Sequence, residues 1–349
     1  MDSDPQEDEV LFDVEGTIGV ITLNRPQALN ALTLDMCLAM QAMLDDWAVD
    51  EQITAVLIEG AGEKGFCAGG DIRALHASGK GDGRYAQDFY FHEYRVNRAI
   101  KHFPKPYVAL VDGITMGGGV GVSVHGSHRV AGDRSVFAMP ETGIGLFPDV
   151  GGSHFLPRLP HNFGFYLGLT GARIKAADML YAGVATHYVP SDKQPEILKA
   201  MVAGASAEEA ITAVSTDPGA GSLAEHEADI FRLFGPRTIE GVLAEMAQDG
   251  SEFAQGLIKT LHTKSPTSLK LTMRQLTEGA AEQDFDATMM MEYRLARRVI
   301  AGHDFYEGVR AVIIDKDNQP QWQPDTIEAV TDADIDAYFA SLGDDELTF

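Results

Sequence analysis

Three glycine-rich segments, each next to a short apolar run, constrain this chain more than any other feature of its sequence. They are "GFCAGGD" (65–71), "GITMGGGVG" (113–121) and "GIGLFPDVGG" (143–152). Glycine tolerates positive φ and lets backbone N–H groups approach a bound molecule closely. Two such loops after neighbouring strands can direct two amides at one oxygen, which is the arrangement of an oxyanion hole. Tight turns and close helix packing explain any single cluster at least as well.

The glycine pattern differs from the common nucleotide-binding loops. "GITMGGGVG" is neither G-x-G-x-x-G nor a Walker A loop, and it lacks the Lys-Ser/Thr pair that contacts phosphates. The net charge of -25 also disfavours nonspecific binding to nucleic acid or an anionic membrane, because both favour a basic surface. We therefore expect neither nucleic acid nor a membrane as a partner.

The order of strand and helix signals predicts an α/β fold. Residues 9–24 alternate apolar and polar around a glycine turn, as in a hairpin, and "ITAVLIEGAG" and "YVALVDG" are typical of buried strands. Helical periodicity covers residues 33–48, with Thr33 as N-cap, and residues 84–102. The glycine cluster at "ITMGGGVGVSVHGSH" is predicted to lead into an apolar helix, whose N-terminal dipole would support an oxyanion.

Helical signals dominate the later part of the chain. We predict a core over residues 1–200 and a helical region over residues 201–349 that packs on this core and ends in an acidic tail. The first residues, "MDSDPQEDEV", lack a basic n-region followed by an apolar h-region, and the apolar runs are too short to span a bilayer. The simplest interpretation is a soluble protein of the cytoplasm.

The two cysteines, Cys37 and Cys67, are too few for a disulfide framework, and no Cys/His cluster has metal-ligand spacing. Cys67 lies in "GFCAGG", where it is either a reactive thiol or, more commonly for an isolated cysteine, a small buried hydrophobe. The histidines near the glycine loops pair with no obvious Ser or Cys nucleophile, and we interpret them as structural: His125, His128 and His154.

The segment "MPETGIGLFPDVGG" (139–152) contains two acids, Glu141 and Asp149, among apolar and turn-forming residues. Pro-Asp before Val-Gly-Gly is ordinary turn chemistry. An acid after Pro140 fits the start of a helix, where the dipole favours negative charge. From these residues alone, both acids are either turn and cap residues or reactive carboxylates.

Four motifs in a fixed order are together similar to the crotonase (enoyl-CoA hydratase/isomerase) superfamily. They are "ITLNRPQALNAL", "GFCAGGDIRAL", "KPYVALVDGITMGGGVG" and "FAMPETGIGLFPDVGG". The resemblance is strong over residues 9–190 and extends further through "SPTSLKLTMRQL" and "FYEGVRAVIIDK". It implies a ClpP/crotonase-like spiral of ββα units, followed by helices that cap the site or mediate assembly into a homo-oligomer.

The resemblance also assigns residues to an acyl-CoA site. It implies that the backbone N–H groups of Gly70 and Gly118 form an oxyanion hole for the thioester carbonyl. The path of the CoA moiety would be lined by residues of the first two motifs, which are Arg25, Ala28, Leu29, Ala68 and Ile72. No metal or redox cofactor is implied, since CoA is part of the substrate.

Two departures from the hydratase pattern point to one branch of the superfamily. Hydratases carry a Glu three residues after the middle glycine, where this chain has Gly121, and typically a Gly where it has Asp149. "PET...FPDVGG" and "YFHEYRVNRAI" are similar to the branch that hydrolyses 3-hydroxyisobutyryl-CoA in valine degradation, and the second motif implies Glu93 at the substrate pocket. The expected activity is therefore acyl-CoA thioester hydrolysis.

In that chemistry the resemblance implies a direct role for Glu141, as a nucleophile that forms a mixed anhydride or as a general base on water. Asp149 would hold the substrate's 3-hydroxyl, position water, or tune Glu141 as a neighbouring like charge. Two other functions stay open. One is hydration or isomerisation of an enoyl-CoA, which the glycine at position 121 disfavours, and the other is CoA binding without catalysis.

Overall fold

The structure is a computed structural model that describes residues 8–349, so the first part of the acidic N-terminal segment lies outside the described residues. The strands form a six-stranded sheet in the order β1-β2-β3-β5-β7-β10 and a four-stranded sheet in the order β4-β6-β8-β9. Their bounds are β1 (Val10–Glu15), β2 (Ile18–Leu23), β3 (Ala55–Gly60), β4 (Gly65–Cys67), β5 (Tyr107–Val111), β6 (Ile114–Met116), β7 (His128–Ala131), β8 (Val136–Ala138), β9 (Ile174–Lys175) and β10 (His187–Tyr188).

The helices connect these strands and make up most of the chain after β10. Their bounds are α1 (Leu34–Val49), α2 (Ile72–Ser78), α3 (Arg84–Lys101), α4 (Gly118–Gly121), α5 (Gly152–Phe155), α6 (Phe163–Thr170), α7 (Ala176–Tyr181), α8 (Gln194–Val202), α9 (Ala207–Thr212), α10 (Leu223–Leu233), α11 (Ile239–Asp249), α12 (Glu252–Leu261), α13 (Pro266–Ala281), α14 (Phe285–Val299), α15 (His303–Val309) and α16 (Asp332–Phe339).

The predicted α/β fold is confirmed. The hairpin is β1 and β2, and α1 begins after Thr33, whose side chain accepts a hydrogen bond from the Met36 N–H at 3.2 Å. The apolar helix predicted after the glycine cluster is wrong in length, because α4 has only four residues. Glycine is a poor helix former, and the Ser123 hydroxyl bonds the Gly119 carbonyl instead of extending the helix.

The larger sheet is buried on both faces, which explains the apolar runs of its central strands. Side chains alternate between the faces, so Val56 and Ile58 of β3 join the core beneath α1 and α3. Ala55 and Leu57 face a smaller cluster that includes Ile197 of α8. The C-terminal helices share the first of these cores, and the boundary predicted at residue 200 stays a prediction.

The smaller sheet places two of the glycine loops side by side. β4 and β6 are parallel neighbours, so their carboxyl ends meet at one edge of the sheet. Gly70 follows β4 and Gly118 follows β6, and an isolated bridge between Leu32 and Gly70 fixes the first loop. Within the described residues, no helix is both long enough and apolar enough to cross a bilayer.

Candidate active site

A cavity of about 500 Å³ opens at the edge where β4 and β6 end. This volume lies within the range of small-molecule sites, which is about 300–1,000 Å³. The glycine loops form one wall and α3 the second, and the turn that begins at Glu141 forms the third. Residues Thr263, Lys264, Val312 and Ile313 close the cavity from the C-terminal region. The site is therefore assembled from segments distant in the sequence.

The backbone amides of Gly70 and Gly118 lie together at the cavity wall. A Cβ built on Gly118 would lie 3.2 Å from the Gly70 nitrogen, so the two loops are in close contact. Among the turn and loop hydrogen bonds of residues 8–349, neither of these two N–H groups donates to a backbone carbonyl. Both glycines line the cavity. The structure thus brings the two predicted oxyanion donors together.

Glu141 begins a short 3₁₀ turn, Glu141–Ile144, and its side chain is only 4% exposed. Its Oε2 atom has no hydrogen-bond partner within the described chain, although it is buried. Burial, and then the charge of Asp149, hold the pKa of this carboxyl well above its usual value, while Lys264 acts in the opposite direction. A buried acid with an unpaired oxygen in a cavity is suited to attack a bound ligand or to activate water.

Asp149 lies beside Glu141 in the same cavity. The Tyr94 hydroxyl donates a hydrogen bond to Asp149 Oδ2 at 2.9 Å, which favours the ionised form. Burial has the larger effect and raises the pKa of Asp149 from 3.8 to about 7. This carboxyl therefore titrates near neutral pH, where a general base is most effective.

Glu93, on α3, is the third acid in the cavity, as the sequence predicts. It is 2% exposed, and its Oε1 atom lies 2.5 Å from a Cβ built on Gly118. Burial, then the charges of Asp149 and Glu141, raise the pKa of Glu93 well above its usual value. Three carboxyls this close in a buried site titrate as a group, so they cannot all be ionised without cost.

Sequence reasoning missed several polar residues of the cavity, among them Tyr90 and Lys264. The Tyr90 hydroxyl is buried and has no partner in the described chain, and it lies three residues before Glu93 on the same face of α3. That helical spacing was a usable signal. Lys264 is half-buried between α12 and α13, and no local pattern connects it with the glycine loops.

The residues predicted along the CoA path divide into two groups. Ala68 and Ile72 line the cavity, whereas Arg25, Ala28 and Leu29 are not among its lining residues. Arg25 instead pairs at 3.1 Å with Asp71, the residue that follows Gly70. Its structural role is to fix the first oxyanion loop, and its contact with CoA stays a prediction.

At Gly121, where hydratases carry a glutamate, neighbouring side chains occupy the space that a larger residue would need. A Cβ on Gly121 would lie 2.6 Å from Asn97 Nδ2 and 2.7 Å from Val150 Cβ, so a larger side chain has no space there. His125, near this point, is buried and neutral because burial lowers its pKa to about 3. His154 has a pKa lowered to about 4, again mainly by burial. Both rings fit the structural interpretation of these histidines.

We expect both cysteines to resist alkylation in the folded protein. Cys37 and Cys67 are buried, and burial raises the pKa of Cys67 to about 12, so the reactive thiolate is scarce. Iodoacetamide at neutral pH should leave both thiols unmodified, as measured by intact mass, with modification only after denaturation. Rapid native labelling at Cys67 would contradict this prediction and revive the reactive-thiol interpretation.

A sequence model of one protein family, described as enoyl-CoA hydratase/isomerase, matches residues 18–339. The chain belongs to this family. Its members include relatives named "3-hydroxyisobutyryl-CoA hydrolase, mitochondrial". The Xenopus tropicalis protein is 50% identical and the alignment covers 97% of this chain and 90% of that protein. The Homo sapiens protein is 46% identical over 98% of this chain and 91% of its own length. These names refer to mitochondria, so they do not confirm the predicted cytoplasmic location.

Solved structures confirm the crotonase-like fold. A carnitinyl-CoA dehydratase from Mycobacterium thermoresistibile superposes with a TM-score of 0.93 at 42% identity, covering 98% of this chain and 99% of that chain. An enoyl-CoA hydratase from Rhodobacter sphaeroides gives a TM-score of 0.92 at 39% identity, covering 98% of this chain and 100% of the other. These two structures are named as a dehydratase and a hydratase, whereas the sequence relatives are named as hydrolases.

Proposed function

We propose that this protein hydrolyses the thioester of 3-hydroxyisobutyryl-CoA to 3-hydroxyisobutyrate and CoA, a step of valine degradation. The observation that carries the proposal is the placement of Glu141 and Asp149 in the same cavity as the paired amides of Gly70 and Gly118. Relatives with 46–50% identity over nearly the whole chain bear the name of this hydrolase. The substrate is thus a small acyl-CoA. We propose no separate cofactor, because CoA is part of the substrate.

In the first step, Glu141 Oε2 attacks the thioester carbon while the Gly70 and Gly118 amides hold the developing oxyanion. Collapse of this intermediate breaks the C–S bond and releases the CoA thiolate, leaving a mixed anhydride on Glu141. Water then attacks the anhydride and gives one proton to Asp149. The product carboxylate and the free Glu141 carboxylate result. Water supplies two protons in all: one protonates the CoA thiolate, and the one taken up by Asp149 is then released to solvent, which restores the Asp149 carboxylate.

The alternative route on the same residues uses Glu141 as a general base on water, with no anhydride. In both routes Glu93 and Tyr90 are placed to recognise the 3-hydroxyl, because each presents a buried, unpaired oxygen to the cavity. A hydroxyl group satisfies both a carboxylate acceptor and a phenol. A substrate without this hydroxyl leaves these groups unpaired, which disfavours its binding.

One observation favours a second candidate, hydration of an enoyl-CoA. Hydration uses two acids, and Glu93 supplies a second carboxyl to the cavity although Gly121 does not. The two reactions differ in their products, because only hydrolysis releases a thiol. We rank hydrolysis first, since Asp149 is a third acid in the cavity and hydratases of this superfamily typically have a glycine at its position.

The proposal is tested by incubating the purified protein with 3-hydroxyisobutyryl-CoA and measuring thiol release. Isobutyryl-CoA, which lacks the hydroxyl, and crotonyl-CoA, which reports hydration, are the comparison substrates. We expect thiol release from the 3-hydroxy substrate and at least about 10-fold less from isobutyryl-CoA. Loss of the crotonyl double bond without thiol release would support the hydratase instead. Binding without any turnover would support a CoA-binding protein.

We also expect kcat for hydrolysis to rise with pH through an apparent pKa near 7. Asp149 is raised from 3.8 to about 7, and Glu141 is raised as well, so both are largely protonated at acidic pH. Only their ionised forms attack or accept a proton. Initial rates between about pH 5 and about pH 9 should therefore increase. A rate that is constant across this range would contradict the assignment.

Homo-oligomer formation stays a prediction, because the structure contains one chain. The C-terminal residues that close the cavity belong to this same chain. In the described residues 8–349, no group of three or more His, Cys, Asp or Glu side chains is arranged to hold a metal ion. The reaction as proposed uses only the protein's own groups, the substrate and water.

A further inference from the structure

The segment that carries Asp149 adopts a backbone conformation that its sequence disfavours. Val150 has a φ of 54°, and Gly151 follows with a φ of 86°. A β-branched residue in the left-handed region is a genuine outlier, and such strain persists only where the surroundings impose it. The contacts that impose it therefore also determine where the Asp149 carboxyl lies.

Buried side chains from other elements hold nearly every residue of this segment. The Gln275 amide donates to the Pro148 carbonyl at 2.6 Å, and the Tyr94 hydroxyl donates to Asp149. His125 Nε2 lies 2.7 Å from the Val150 carbonyl oxygen. Glu292 accepts two bonds, from the Gly151 N–H at 2.7 Å and from the Ser153 N–H at 2.8 Å. We call Pro148–Ser153 the clamped segment.

We propose that Glu292 is a positioning residue, whose carboxyl group fixes the clamped segment from α14 and thereby places Asp149 for hydrolysis. This inference rests on the proposed function. Glu292 is completely buried, and its two oxygens each take one backbone N–H of the segment. It lines no part of the cavity, so it acts through the backbone and not on the substrate.

The cost of burying Glu292 argues against a purely structural role. It makes no ion pair with any residue that the structure describes, and its acceptors are satisfied by the clamped segment alone. Burying a carboxyl group costs free energy unless it is hydrogen-bonded, and an apolar side chain packs such a site at lower cost. The two oxygens of the Glu292 carboxyl group match the two backbone N–H groups of Gly151 and Ser153, which lie two residues apart.

The ionised form of Glu292 also acts on one acid of the cavity, Glu93. Burial raises its pKa to about 8, against the effect of its hydrogen bonds to Gly151 and Ser153, and Asp149 contributes as a like charge. Glu292 in turn raises the pKa values of Glu93 and Tyr94 on α3. The other titratable group at this segment, His125, is neutral. At neutral pH Glu292 is therefore largely protonated, and it holds the clamped segment through its two hydrogen bonds and not through its charge.

The test is Glu292→Gln, which keeps the shape but offers only one acceptor oxygen. The matched control is Glu278→Gln, an exposed acid on neighbouring α13 that removes the same charge. We expect kcat to fall about 10-fold in Glu292→Gln with KM within about 2-fold of the wild type. Glu278→Gln should match the wild type in both constants.

Amide hydrogen exchange supplies a readout that does not need activity. The Gly151 and Ser153 amides should exchange faster in Glu292→Gln and at the wild-type rate in the control. If the wild type releases no thiol, the proposed function fails, and exchange alone still tests the clamp. An active wild type with unchanged kcat and unchanged amide exchange in Glu292→Gln overturns the positioning role.

A second variant covers the case in which Glu292→Gln does not fold. Glu292→Asp keeps the carboxyl group, but its shorter side chain cannot reach both the Gly151 and Ser153 amides. We expect a several-fold lower kcat with KM within about 2-fold of the wild type. Full kcat in Glu292→Asp would overturn the proposal, because it would show that the paired hydrogen bonds are not needed.

Discussion

Glu141→Gln should reduce kcat for thioester hydrolysis by about 10³-fold or more, because glutamine neither attacks the carbonyl nor accepts a proton from water. The shape of the side chain is kept, so binding of the acyl-CoA should change little. Thiol release and a direct binding measurement on the same preparation separate the two effects. The exposed variant Glu278→Gln is the control for the loss of one charge.

The same substitution should make the protein more stable at alkaline pH. The folded state holds the Glu141 proton more tightly than the unfolded chain does, since burial raises its pKa well above 4.5. The stability from this group is therefore present below about pH 4.5 and is lost as the pH rises through the folded pKa. Glu141→Gln avoids that loss.

We thus expect a higher Tm for Glu141→Gln at about pH 8, by a few degrees, and little difference at about pH 4. Thermal unfolding followed by circular dichroism at both pH values measures this. Undiminished thiol release by the variant would remove Glu141 from the mechanism. A Tm that falls along with the activity would mean that the loss of rate reflects damage to the fold.

Gly118→Ala should reduce kcat by about 10²–10³-fold, which is the usual cost of losing one oxyanion donor. The added Cβ would lie 2.5 Å from Glu93 Oε1 and 3.1 Å from Leu32 Cδ1, so the loop or Glu93 must move. Either movement displaces the amide from the thioester oxygen. Because the oxyanion forms only in the transition state, kcat should fall far more than KM rises.

Gly256→Ala is the matched control, since a Cβ at that position in α12 meets nothing within 4 Å. It adds the same methyl group on an exposed helix and should leave hydrolysis unchanged. Circular dichroism of both variants checks that the fold is intact. A Gly118→Ala protein with normal folding and wild-type kcat would contradict the oxyanion assignment.

The sequence was sufficient for those parts of the site that lie within single motifs. The glycine clusters after β4 and β6 predicted the paired amides, and one segment supplied both Glu141 and Asp149. These parts are predictable because parallel neighbouring strands deliver their following loops to one edge. Glu93 could be predicted only through the family resemblance. Once Glu93 is placed in the cavity, helical spacing also places Tyr90 there, because it lies three residues earlier on α3.

The residues that sequence reasoning missed come from tertiary packing. Lys264 lies in the loop between α12 and α13, and Glu292 lies on α14 behind the segment of Asp149. Local periodicity does not indicate which part of the core these distant residues will contact. The short length of α4 was missed for a different reason. An apolar composition predicted a helix there, but helix formation by consecutive glycines is unfavourable, and Ser123 offers the backbone a competing bond.

The clamp by Glu292 has a consequence for the newly synthesised chain. Gly151 and its acceptor are 141 positions apart, and ribosomes add about 5–20 residues per second. The segment that carries Asp149 therefore leaves the ribosome roughly 7 to 28 s before α14 exists to hold it. During that interval the cavity is open on its C-terminal side, since Val312 and Ile313 are also missing. Hydrolysis should therefore begin only after Ile313 has been synthesised and has packed against the cavity.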